Sequence, residues 1–175
     1  MRQLFVAAVA TAALAAFAAT PAHAGKVEVK GMHICCGQCE KGITTILGKV
    51  DGVSDAKADK AAKTATFTTK DDKTTTAALA ALVDGGYAGS ATDDGKEVKV
   101  EVPTAKKGDK ADEVTITNIH VCCPQCQKAI SALLPPDAKA TFPDKTSVKV
   151  TGSGIDKGAT LEALNKAGFG GKIAK

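Results

Sequence analysis

The chain has 175 residues, 23 basic and 19 acidic side chains and a formal net charge of +4, with five Phe, one Tyr and no Trp. Arg2 is its one arginine, so the arginines, stacking aromatics and basic stripe of a nucleic-acid binder are missing. No Ser-His-acid set, phosphate loop or paired-carboxylate constellation stands out, so the chain is expected not to be an enzyme and to have no catalytic residues.

In chain order, Met1–Ala24 comes first. Arg2 precedes an uncharged run from Leu4 to Ala19, and Ala22-His23-Ala24 forms a small-x-small cleavage site. These are the marks of a secretory signal peptide. Gly25 rather than Cys follows, which argues against a lipid anchor. No later run is long enough to span a bilayer. The expectation is an exported chain, periplasmic or secreted, whose mature part is residues 25–175.

Val27, Val29 and Gly31 alternate with polar neighbours, which predicts a strand. Cys39, Ile43, Ile46, Leu47 and Val50 then recur at helical spacing up to Asp51-Gly52. Extended segments are expected at Val53–Asp59 and Thr64–Thr69, a helix near Thr75–Gly85, a strand beginning at Tyr87 and an extra strand at Glu97–Val102. Pro103–Glu113 (PTAKKGDKADE) is polar and lysine-rich and reads as a flexible linker.

The pattern then repeats. VEVKGMHICCGQCEKGI (Val27–Ile43) lies over VTITNIHVCCPQCQKAI (Val114–Ile130). Leu79, Leu82, Gly86 and Tyr87 lie over Leu161, Leu164, Gly168 and Phe169. Cys126, Ile130, Leu133 and Leu134 repeat the first helix, stopped by Pro135-Pro136. Ala138–Phe142 and Ser147–Thr151 repeat the extended pair, Lys157–Ala167 the second helix, and a last strand should begin at Phe169. Each copy runs β-α-β-β-α-β, so the predicted fold class is α+β. It comprises two tandem ferredoxin-like domains, residues 25–102 and 114–175, with helices on one face of an antiparallel sheet.

All six cysteines fall in the two copies of one heptapeptide, HICCGQC (His33–Cys39) and HVCCPQC (His120–Cys126). Pro124 marks a first helical position, which makes Cys123 the cap and puts Cys126 in the first turn. Cys36 and Cys39, like Cys123 and Cys126, therefore converge on one face at a helix N-terminus whose dipole favours thiolates. His33 and His120 occur in register three residues before each pair, as ligands or as residues behind the ligands. Cys35 and Cys122 are either third ligands or packed or bridging thiols. On a regular strand, Cys35 and Cys36 would point to opposite faces.

With these motifs in place, the chain resembles the heavy-metal-associated domain family, and the resemblance covers both copies. It implies that Cys36 with Cys39, and Cys123 with Cys126, are metal-binding pairs. It also implies that Tyr87 and Phe169 lie near the metal loop, and that Ile34 and Val121 replace the family's usual buried methionine. A two-sulfur pair of that family suits Cu(I), whereas three thiolates plus imidazole suit tetrahedral Zn(II); both metals stay open. The expected partners are the metal ion and a metal-transporting or metal-receiving protein, with no nucleic acid. The expected role is capture, buffering or delivery. Two rivals are a thiol–disulfide oxidoreductase using the CxxC pairs and a disulfide-stabilised structural protein.

Overall fold

The structure is a computed structural model and describes residues 25–174; the signal-peptide reading of residues 1–24 lies outside them. The N-terminal half contains β1 (Gly25–Lys30), α1 (Gly37–Leu47), β2 (Val53–Asp59), β3 (Thr64–Thr69), α2 (Asp72–Asp84), β4 (Ser90–Asp93) and β5 (Lys96–Val98). Its antiparallel sheet has the order β2-β3-β1-β4-β5. The period-two pattern does its expected work here. Val27 and Val29 of β1 and Ala65 and Phe67 of β3 are buried, and so are Cys39, Ile43 and Leu47 of α1, four residues apart along one helical stripe. Asp71 caps α2 by accepting from Thr74 N–H at 2.7 Å.

The C-terminal half contains β6 (Lys110–Thr117), α3 (Pro124–Ser131), β7 (Lys139–Thr141), β8 (Ser147–Asp156), α4 (Lys157–Lys166) and β9 (Lys172–Ile173). Its sheet order, β7-β8-β6-β9, repeats β2-β3-β1-β4. The molecule is therefore α+β, with two antiparallel sheets. Among the described residues no helix is long and apolar enough to cross a membrane.

Three expectations need correction. The segment read as a linker ends in strand, because Lys110 and Ala111 pair with Asp156 and Ile155 at the long end of β8. Gly108 N–H donates to Asp156 Oδ2 at 2.8 Å, and Lys157 pairs with Asp109. Backbone pairing and polar anchors hold this run, so it carries no apolar period to read. The extra strand is Lys96–Val98 rather than Glu97–Val102.

The third correction concerns the aromatics. The last strands begin beyond them, at Ser90 and Lys172. Tyr87 and Phe169 form an antiparallel bridge with each other instead. Gly170 N–H donates to Gly86 O at 2.9 Å, and Ala88 N–H to Gly168 O at 3.1 Å. The two halves thus meet through their Gly-aromatic loops, and one buried apolar cluster runs through both.

Candidate metal centre

Each motif loop is built the same way. Gly31 (φ +76) ends β1 and Asn118 (φ +54) ends β6, a conformation open to Gly and, among other residues, best tolerated by Asn. Each loop then buries alternate side chains, Met32 and Ile34 in one and Ile119 and Val121 in the other. His33 and Cys35, and His120 and Cys122, take the half-buried positions between them. Cys36 and Cys123 are the helix caps, extended at φ/ψ −156/171 and −154/168, and neither side chain caps its helix. Their sulfurs contact those of other cysteines. Pro124 stands at the first position of α3, where its missing N–H costs nothing.

The bridge between Tyr87 and Phe169 brings the two loops face to face, and all six cysteine sulfurs meet. Within each pair, Cys36–Cys39 and Cys123–Cys126 are 3.9 and 3.8 Å apart. Across the halves, Cys35 lies 3.5 Å from both Cys123 and Cys126. Cys122 lies 3.6 Å from Cys36 and 3.5 Å from Cys39. Cys35–Cys39 and Cys122–Cys126 are each 3.6 Å. The six thiols are free. Two four-sulfur groups have every donor within 4.8 Å of the others: Cys35, Cys36, Cys122 and Cys123, and Cys35, Cys39, Cys122 and Cys126. Sulfurs sharing one metal at about 2.3 Å stand roughly 3.8–4 Å apart, so the loops are already near the required spacing.

The cluster divides its protons unevenly. Cys39 is held well below the usual thiol range, first by the thiol of Cys126 and then, against the opposing effect of burial, by His120. Cys126, the other member of that contact, is pushed up. Burial drives Cys35 up to about 12 and Cys122 up as well. Cys123 comes down to about 7: burial opposes this, but N–H groups of the first turn of α3 and the thiol of Cys35 outweigh it. A bound metal would displace the remaining protons.

The histidines also cross between halves. His33 stacks on Phe169 with ring centroids 4.0 Å apart, and His120 on Tyr87 at 4.6 Å. Burial lowers the pKa of His33 and so favours its neutral form. Both Nε2 atoms are buried without a hydrogen-bond partner. Among the described residues, however, no imidazole nitrogen joins a group of donors close enough to hold one ion. His33 and His120 lie half-buried beside the sulfurs, and His120 acts on the thiol of Cys39. A cleft of about 500 Å³, lined in part by Lys41, Tyr87, His120 and Lys145, opens beside Cys122.

Residues 26–88 match the family model of the heavy-metal-associated domain. That stretch contains His33, Cys35, Cys36 and Cys39 and ends just past Tyr87, so the matched residues include half of the sulfur cluster. The matched family is one of metal-binding domains, and the clustered cysteines are of a kind and spacing that could hold a thiophilic ion. No curated protein and no solved structure matches the chain.

The sequence reading did not single out Gly86 and Gly168 for what they do. Both take left-handed φ, +90 and +85, and a Cβ on either would sit 2.3 Å from backbone of the opposite loop, at His120 N and at Gly31 O and His33 N. The signal was present in the repeated Gly-aromatic pair, but nothing in a repeat states that its two copies touch.

Proposed function

We propose that the protein is an exported carrier or buffer of a thiophilic metal, Cu(I) or Zn(II), that works by binding rather than by catalysis. The observation that carries this reading is the meeting of six free cysteine sulfurs, 3.5–3.9 Å from their neighbours, at the contact of two copies of one motif. The match to the heavy-metal-associated domain supports it for the first copy. The order of the four strands of the second sheet, which repeats the first four of the first, supports reading residues 114–175 as a second, variant copy. The signal-like Met1–Ala24 supports export to the periplasm or beyond. A metal donor or receiver would reach the sulfurs through the cleft beside Cys122, whose lysines suit an acidic partner surface.

The test is anaerobic titration of the reduced chain with Cu(I) and Zn(II) against chelators of known affinity, with the metal content measured by elemental analysis. Tight binding that is lost when the six cysteines are replaced by serine is expected. No tight binding, together with catalytic reduction of insulin disulfides, would replace this reading with a redox one.

A further inference from the structure

Resting on the metal-binding reading, we infer that the third thiolate of each CxxC pair comes from the opposite half, so that the chain holds two Cu(I) ions in two crossed three-sulfur centres. The contacts divide the sulfurs into two closed triangles. Cys35 touches both Cys123 and Cys126, at 3.5 Å each, and those two touch each other at 3.8 Å. Cys122 touches Cys36 at 3.6 Å and Cys39 at 3.5 Å, and that pair closes at 3.9 Å. From its own half, Cys35 makes one sulfur contact, to Cys39, and Cys122 one, to Cys126.

Chain geometry explains the crossing. Neighbouring residues of an extended segment point apart, so Cys35 is poorly placed to complete the pair that begins at Cys36, and Cys122 the pair that begins at Cys123. The bridge between Tyr87 and Phe169 sets each vicinal cysteine against the other pair. Divided between two ions, the six sulfurs give three to each, a set that suits Cu(I), whereas a closed zinc site takes four ligands and would use one of the four-sulfur groups for a single ion. The remaining contacts, Cys35–Cys39 and Cys122–Cys126, link the two triangles, so either ion is close to the sulfurs of the other.

The experiment uses the full chain loaded anaerobically with Cu(I) alone, with stoichiometry by native mass spectrometry and sulfur coordination by X-ray absorption. Two ions, each with three sulfurs, are expected. In a Cys36→Ser/Cys39→Ala variant one three-sulfur ion should remain. Adding Cys35→Ser should reduce it to two sulfurs, whereas adding Cys122→Ser should leave it unchanged. The mirror variant, Cys123→Ser/Cys126→Ala, should respond only to Cys122→Ser, and it keeps the test available if the first variant fails to fold. The crossing is overturned if the roles of Cys35 and Cys122 are exchanged, if each ion has two sulfurs, or if one ion takes Cys35, Cys39, Cys122 and Cys126 together. A native chain that retains Zn(II) but no Cu(I) overturns the two Cu(I) centres alone, whereas one that retains neither metal overturns the metal-binding reading itself.

Discussion

The two halves share an element order but not a scaffold. The N-terminal sheet has five strands and a first helix of 11 residues, whereas the C-terminal sheet has four strands and a first helix of 8. β2 has seven residues and its counterpart β7 three. The loops that meet are nevertheless alike in backbone, with near-identical cap dihedrals at Cys36 and Cys123 in the motif loops and φ values of +90 and +85 at Gly86 and Gly168 in the Gly-aromatic loops. A sheet and its helices need only cover an apolar face, and many lengths do that. Loops that must meet each other atom against atom have far less freedom. The likeness of the halves is therefore concentrated where they touch.

Breaking that contact should have the largest effect. Gly86→Val and Gly168→Val each combine a left-handed φ with a backbone clash at 2.3 Å, and the loss should exceed the ~3 kcal/mol that backbone strain alone costs. Gly95→Val is the control, since it has φ +78 with nothing within 4 Å. Denaturant midpoints should fall far more for the first two than for the third, and both should lose metal. Equal midpoints for all three would mean that the contact between halves contributes nothing.

The unequal helices predict an unequal response in the core. Ile43 and Ile130 are both fully buried, and truncating either to Ala should cost about 2–5 kcal/mol. α1 also buries Leu47, whereas α3 buries only Cys126 and Ile130. Ile130→Ala should therefore loosen its cysteine pair more, and weaken metal binding more, than Ile43→Ala. Matched chelator competition on the two variants checks this, and equal weakening would count against it.

A smaller contrast lies in the caps of α2 and α4. Asp71 is held below the usual carboxylate range by the hydroxyl and N–H of Thr74, and Asp156 by the N–H of Ala159 and then of Gly108. A depressed folded-state pKa contributes stability above the unfolded carboxylate range, and that stability is lost as pH falls through the folded value. Both caps should therefore be in force at neutral pH and fail below about pH 4. Asp156 also fastens the segment leading into β6. Asp156→Ala should thus lower the melting temperature at pH 7 more than Asp71→Ala, and the gap should close at acidic pH.

Much of this fold was legible because its signals are local. The extended segment expected at Thr64–Thr69 is β3 with those bounds, and Pro124 placed the start of α3 and hence the cap position of Cys123. The six cysteines were identified from spacing and repetition. What was not legible is orientation between copies. A repeat says which residues recur, not which surfaces meet, so Tyr87 and Phe169 read as strand starts rather than as a bridge. The histidines, in register with the cysteines, read as ligands or as residues behind them; they stack on the aromatics of the other half. The adjacency of Cys35 and Cys36 was not interpretable within one copy; in the structure Cys35 lies beside Cys123 and Cys126, and Cys36 beside Cys122.

The smallest expected effect concerns one hydroxyl. Tyr87 Oη donates to the carbonyl of Cys39 at 3.3 Å, whereas Phe169 holds the corresponding place without a hydroxyl. The residue that makes room differs in step. A Cβ on Gly42 would lie 2.7 Å from Tyr87 Oη, and its counterpart in the second copy is Ala129. Tyr87→Phe alone should cost about 1 kcal/mol, the net worth of one hydrogen bond. Gly42→Ala alone should also destabilise, because the gain in helix propensity of about 1 kcal/mol is opposed by the clash. Together they give the first copy the residues that the second has at the corresponding positions, Ala129 and Phe169, so the double variant should be more stable than the two single losses imply. A double-mutant cycle measures this coupling directly. Additive losses would mean that the Gly–Tyr and Ala–Phe pairs are not alternative solutions to one packing problem.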